Sequence, residues 1–402
     1  MSARDDLQRT LADIAARDGG LKSFVAVHDT AGAQRELDRA LAHRGALQGL
    51  AVGVKDIFDT AALPSQYGSA LFAGHQPRLD AAIVQAVRRA GGVVVGKTAT
   101  TEFAFLNPAP TLNPNAAGRT PGGSSAGSAA SVAAGLVPLG IGTQTGGSVI
   151  RPASYCGVVG FKPTFGALPT PGLKPFSWSL DTVGLFTQRV TDMARWASAL
   201  SGRTWTSQGA KPVVGIAWSY PFGELTPSAR LALETARDKL RAAGVTVKDV
   251  DLPAWVADVH KAHDAVQGWE AVRALRDEFE FHADQLSAVL RDYLRDAQEV
   301  DDRAYEQGQA TAAAGRGKLQ QLFDGIDVLL APSAPDEPPA GYGSTGASTF
   351  NRAWTLLHVP CVSVPGAKGV NGFPMGVQVV APVGEDALCL RAAALLQASF
   401  GH

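Results

Sequence analysis

Pro121-Gly122-Gly123-Ser124-Ser125-Ala126-Gly127-Ser128 and, further on, Gly142-Thr143-Gln144-Thr145-Gly146-Gly147-Ser148 decide how this chain reads. Each turn places a serine directly after a Gly-Gly pair, and Ser124 and Ser148 stand 24 residues apart. Upstream, Lys55 sits in the apolar run Val52-Gly53-Val54-Lys55-Asp56-Ile57, 69 residues before Ser124. A serine hydroxyl is a weak nucleophile that needs a neighbouring base and backbone N–H groups to receive a developing oxyanion. Glycine beside the serine lets the backbone approach a substrate with no side chain in the way. A lysine can serve as that base when burial strips its proton. The three segments together point to serine-based acyl transfer without histidine.

The remainder of the chain bounds the class. At 402 residues, with 46% apolar and 18% charged residues, it supports a sizeable core and argues against disorder. Basic and acidic residues number 36 and 37, for a net charge of −1, so a nucleic-acid footprint or polybasic membrane patch is not expected. Cys156, Cys361 and Cys389 show no paired spacing, which suits free thiols in a reducing cytoplasm. Met1 to Arg17 is charged and lacks an apolar signal core. The longest weakly polar run, Ala126 to Gly142, is too short to span a bilayer and reads as a buried helix and strand.

Periodicity predicts helices over 4–17, 30–43 and 80–90, the last with Asp80 as N-cap, and from about Ser125 to Ala134. Short strands are expected at 50–54, 93–96, 137–142 and 158–162, with 107–121 a loop and 143–151 a loop leading into a helix or turn. A polar seam at 202–211 precedes a strand–helix–strand unit at 213–217, 227–243 and 245–250. Residues 253–324 read as helical, followed by strands at 328–331, 361–365 and 375–380 and a final helix at 386–399. The alternation implies an α/β layer. Because neither flank of the seam has a complete layer set, the expectation is one domain over 1–402.

The stretch from Gly122 through Ser148 to Pro152 closely resembles the amidase signature family, and the similarity extends from about residue 24 to 400. It includes Ser177-Trp178-Ser179-Leu180-Asp181-Thr182-Val183-Gly184-Leu185-Phe186 and Asn351-Arg352-Ala353-Trp354-Thr355-Leu356. The resemblance implies a single α/β/α layered domain: a large mixed twisted sheet with helices on both faces, a signature core at about 50–200 and a substrate-pocket part at about 205–402. It assigns Lys55 as general base, Ser124 as the bridge, preceded by a cis Gly123–Ser124 peptide, and Ser148 as the acylated nucleophile. The backbone of Thr145, Gly146, Gly147 and Ser148 becomes the oxyanion hole. Ser125 and Thr143 are supporting residues, Thr143 by hydrogen-bonding the bridging serine.

Two departures stand out. Gln144 occupies a position where the family more usually has Asp. The arginine, Arg151, comes three residues after the nucleophile rather than two, an order that resembles the malonamidase branch. There Arg151 would pair with a substrate carboxylate and Gln267 would line the pocket, selecting a small malonamate-like amide. A ureide or carboxy-urea substrate, an aryl or indole amide held near Phe176 and Trp178, and an amidotransferase subunit delivering ammonia to a partner are the alternatives. No cofactor and no metal are expected. His260 and His263, three apart on a helix, lack a third ligand, and the eight histidines read as core or surface residues. A small-molecule amide, no nucleic acid, no membrane and a homodimer complete the expected partners.

Overall fold

The computed structural model describes residues 2–43, 45–206 and 208–401. Ser207 in the seam, and Met1 and His402 at the limits of the expected domain, lie outside the described residues. Among the described residues eleven strands form one sheet: β1 Phe24–Val27, β2 Ala51–Lys55, β3 Val93–Thr98, β4 Leu139–Gln144, β5 Val159–Lys162, β6 Thr182–Thr187, β7 Val214–Ala217, β8 Val247–Val250, β9 Val328–Pro332, β10 Cys361–Val364 and β11 Val377–Val380. Their order is β1-β3-β2-β4-β6-β5-β10-β11-β9-β7-β8. The β3-β2-β4 and β9-β7-β8 triplets are parallel, and the pairs from β4 through to β9 are antiparallel. The sheet is therefore mixed, as expected, and carries strands from both sides of the polar seam.

Period-two alternation feeds two faces. Val52, Val54, Leu139, Ile141, Val183, Leu185, Val377 and Val379 join one cluster with the helices Ala82–Arg89, Val190–Ser201, Pro227–Ala242 and Asp386–Ser399. On the other face, Ala51, Val93, Val95 and Phe186 pack with the helices Ala126–Ala133 and Ile150–Cys156. Farther along that face, Leu329, Ala331, Cys361 and Val380 meet the helices Trp255–Ala274 and Asp302–Gly317. The helix Ala126–Ala133 lies so close to β4 that a Cβ on Gly142 would sit 2.6 Å from Ser125 Oγ. Only glycine fits that contact, and the contact brings Ser124 up to the end of the sheet.

One expectation needs correction, and the structure adds elements beside it. Asp80 does not cap its helix: Ala81 is the N-cap, while Asp80 accepts from the Ala61 N–H and pairs with Arg88 Nε at 3.0 Å. Buried Arg88 also binds Glu36, so the carboxylate serves a cross-helix ion network in place of a cap. β1 and β6 and the helix Val190–Ser201 add elements that the strand–helix rhythm does not predict. Of the helix or turn expected after Ser148, the structure forms the helix Ile150–Cys156. Among the described residues, no helix is long and apolar enough to cross a membrane.

Candidate active site

Strand β2 ends at Lys55, whose whole side chain is buried. Its Nζ donates to Ser124 Oγ at 2.7 Å and to Thr143 Oγ1 at 2.7 Å. Burial pushes the ammonium down to about 7, with the Asp181 carboxylate pulling the other way. Ser124 follows a cis Gly123–Ser124 peptide at the entry to the helix Ala126–Ala133. Ser125 Oγ accepts from the Thr143 N–H at 3.2 Å and donates to the Thr143 carbonyl at 3.1 Å, riveting the serine turn to β4. Thr143 was expected to bond the bridging serine; its hydroxyl instead meets the lysine.

Ser148 lies between β4 and the helix Ile150–Cys156. Among the described residues its hydroxyl makes no hydrogen bond, and none joins it to Ser124; it lines a cavity of about 210 Å³. Thr145, Gly146, Gly147, Arg151, Gln267 and Arg352 share that wall, and so do Phe105, Phe176 and Tyr293. Trp178, named beside Phe176 in the aromatic alternative, instead packs on Trp269 with its ring 46% exposed.

The loop leading to Ser148 is held by its carbonyls. Thr145 O meets His263 Nε2 at 2.9 Å, Gly146 O accepts from Thr355 Oγ1 at 2.9 Å, and Gly147 O accepts from the Arg151 N–H at 2.9 Å. In a planar trans peptide the N–H points opposite to the preceding carbonyl. Fixing these three carbonyls therefore turns the N–H groups of Gly146, Gly147 and Ser148 the other way, and all three residues border the cavity. Gly147 has no room for a side chain, since a Cβ would lie 2.6 Å from Asn351 Oδ1. Gln144 performs the remaining fixing: its Oε1 accepts from the N–H groups of Val149 and Ile150 at 2.9 and 3.0 Å, and its Nε2 donates to Thr355 Oγ1 at 3.0 Å. A neutral amide thus caps the helix that follows the serine.

Asp181 anchors the loop from below. It accepts from Thr145 Oγ1 at 2.5 Å and from the N–H groups of Phe176 and Ser177 at 2.9 and 3.0 Å. Burial nonetheless pushes its carboxyl up to about 6. Glu270, fully buried, gathers Ser177 Oγ, Ser179 Oγ and the Ser179 N–H and so ties this segment to the helix Trp255–Ala274. His263, on the same helix, is pushed down to about 4 by burial. It is neutral at working pH, so Nε2 carries the proton donated to Thr145 O. In the sequence it reads only as a core or surface histidine; a lone histidine on a helix gives no sign that it touches the loop before Ser148. Asp181 was legible only as part of the Ser177–Phe186 resemblance, and Thr355 and Arg352 only within Asn351–Leu356. His263→Ala is expected to lower kcat by about 10- to 100-fold with KM within threefold of the parent. His263→Gln, which restores a donor, should recover part of the loss. Steady-state kinetics check this, and an equal change in KM would point to general disruption of the pocket.

The two predicted binding residues are both at the cavity. Gln267 Nε2 donates to Tyr293 OH at 2.9 Å. Arg151, fully buried, donates from Nη1 to Gly346 O at 2.8 Å and from Nη2 to Gly123 O at 2.7 Å. Burial draws its guanidinium down to about 10, which leaves it charged at neutral pH.

Comparison with known proteins agrees with this geometry. A family model described as Amidase matches residues 7–390. The chain is 33% identical to a glutamyl-tRNA(Gln) amidotransferase subunit of Anaeromyxobacter dehalogenans, covering all of this chain and 94% of that protein. It is 32% identical to 2-amino-5-chloromuconic acid deaminase of Comamonas testosteroni, covering 89% of this chain and 83% of that one. Among solved structures, an amidase superposes with a TM-score of 0.90 at 30% identity, covering 99% of this chain and 96% of its own. A 6-aminohexanoate cyclic dimer hydrolase bound to its substrate also gives 0.90, at 25% identity over 100% and 94% of the two chains. By family match and by fold, the chain belongs to the amidase family and is an enzyme of the class that acts on amide C–N bonds.

Proposed function

We propose that the chain hydrolyses a small carboxamide through Lys55, Ser124 and Ser148, and that the amide bears a carboxylate, as malonamate does. The observation that carries the proposal is the buried Lys55 Nζ, 2.7 Å from Ser124 Oγ and with its pKa lowered to about 7, so that a neutral amine is available as base. Lys55 takes the proton of Ser124, and Ser124 takes that of Ser148. The hydrogen bond between the two serines forms as substrate closes the site, since catalytic contacts often tighten only with substrate bound. Ser148 Oγ attacks the carbonyl carbon, and the N–H groups of Gly146, Gly147 and Ser148 receive the oxyanion. Collapse breaks the C–N bond, and the relay runs backwards to protonate the departing nitrogen as ammonia. Water repeats the sequence on the Ser148 ester and releases the acid, a serine–lysine variant of the triad logic.

A cavity of about 210 Å³ lined by two arginines supports a small anionic substrate. At ~30 Å³ per water it holds about seven waters' worth of ligand. The sheet running across the seam supports one domain for the 50–200 and 205–402 segments. Three buried free thiols suit the cytoplasm. An amidotransferase role is the second reading, favoured by the likeness to an amidotransferase subunit. Intact-protein mass spectrometry on samples quenched during turnover tests the mechanism. An acyl adduct on the peptide containing Ser148, with ammonia released by the purified chain alone, is the expected result. Ammonia release with no adduct overturns the nucleophile assignment, and release only with a second polypeptide present favours the amidotransferase.

A further inference from the structure

The hydrolase reading leaves open which group meets the substrate's charge. Two cations line the cavity, and they are held by different partners. Both terminal nitrogens of Arg151 already hold backbone carbonyls, Gly123 O and Gly346 O. Each terminal nitrogen keeps a second N–H, but the two tethers fix the guanidinium between these loops, and Nε is buried and unpartnered. Gly123 O belongs to the cis peptide that presents Ser124, so Arg151 positions the bridging serine.

Arg352 has its own arrangement. It sits at the start of the short helix Arg352–Leu356 with its side chain 32% exposed. Nη1 donates to Asp264 Oδ1 at 2.7 Å and Nε to Ser348 Oγ at 3.2 Å. Among the described residues Nη2 makes no hydrogen bond. The Arg352 charge is felt by Arg151 and Tyr293, which line the same cavity, and by His263 behind the loop. Its partner Asp264 is 66% exposed, so that ion pair is weakly held and open to exchange. In so small a cavity, a ligand whose carbonyl lies at Ser148 keeps its far end among the other lining residues, Arg352 included.

We infer that Arg352, rather than Arg151, is the residue that binds the substrate carboxylate, with Asp264 as the internal counter-ion the substrate displaces. This inference rests on the hydrolase reading above. Guanidinium–carboxylate bonds are charge-assisted and directional, and Nη1 and Nη2 together offer the bidentate edge once Asp264 moves aside. Asp264 also sets a limit: a second carboxylate on the ligand would meet like charge, so a monoanion is the favoured class.

The test measures ammonia release from malonamate and from propionamide, a neutral amide of similar length. Wild type should prefer malonamate. Arg352→Ala should raise KM for malonamate about 10- to 100-fold, with kcat little changed, and leave kcat/KM for propionamide within about threefold. Arg352→Lys should recover part of the malonamate affinity. Asp264→Asn should lower KM for malonamate by freeing Nη1. Arg151→Lys should reduce kcat on both amides in the same proportion, the signature of a positioning residue. If wild type releases ammonia from no amide offered, the hydrolase reading itself fails. If wild type turns over both amides without preference, or Arg352→Ala loses equally on both, or Arg151→Lys alone raises KM for malonamate, the assignment to Arg352 is overturned.

Discussion

Ser148→Ala is expected to abolish ammonia release from every amide the parent hydrolyses, by about 10⁴-fold or more. The damage is confined to the hydroxyl. Ser148 Oγ opens onto the cavity and makes no hydrogen bond among the described residues. Its removal therefore orphans no buried partner, and Tm should stay within about a degree. The carbonyl tethers from His263, Thr355 and Arg151 do not involve the hydroxyl, so the oxyanion loop keeps its shape and substrate still binds. Calorimetric titration of the variant with the amide should then give a Kd close to the parent KM, with no heat of reaction. A variant retaining more than about one per cent of parental kcat would place the nucleophile elsewhere, and Ser124 would be the next hydroxyl to test.

The second large effect concerns Lys55 and pH. A general base must be unprotonated, and Lys55 is drawn down to about 7 by burial. In the parent, kcat/KM should rise tenfold per pH unit below about 7 and level off above it. Lys55→Met should lower kcat by about 10³-fold or more and flatten that acidic limb. The same burial has a thermodynamic sign. An unfolded lysine keeps its proton up to about 10.5, whereas the folded one loses it near 7. Between those values the unfolded chain binds more protons, so stability rises with pH through that window, and below about 7 the whole penalty of burying the ammonium is present. Lys55→Met removes the penalty, and its Tm relative to the parent should improve as pH is lowered from 9 to 7. A pH–rate profile whose acidic limb survives in Lys55→Met would assign the titration to another group, with Asp181, raised to about 6, the foremost alternative.

The two Gly-Gly-Ser turns were legible because their pattern is local. Gly-Gly-Ser places a serine where the backbone itself does the work, and a lysine inside a Val-rich strand announces burial. Most helices came through where an apolar stripe recurs, but Val190–Ser201 was missed despite its buried stripe of Val190, Met193, Trp196, Ala197 and Leu200. β6 was not legible as a strand: all six residues are buried, so no alternation marks it, and Gly184 interrupts the run. β1, only four residues long and an antiparallel edge, carries too little pattern to stand out from the turn before the helix Thr30–His43. Asp80 failed as a cap because its oxygens are taken by the Ala61 N–H, 19 residues back, and by Arg88. Arg151 was read from its distance to Ser148, yet the atoms it serves, Gly123 O and Gly346 O, are 28 and 195 residues away. Hydrogen bonds of that span are a property of the fold, and no local window contains them.

Gln144 gives the enzyme an adjustable working range. Its amide oxygen holds the same two N–H groups that a carboxylate would hold, but adds no charge to the chamber around the lysine. With position 144 neutral, Asp181 is the acid whose field favours a protonated Lys55. A single carboxylate exchanged for this amide would keep the cap and strengthen the lysine's hold on its proton, displacing the lower edge of activity toward alkali. The acidity at which Lys55 gives up its proton, set first by its burial, is therefore adjustable from a residue that does not touch the lysine.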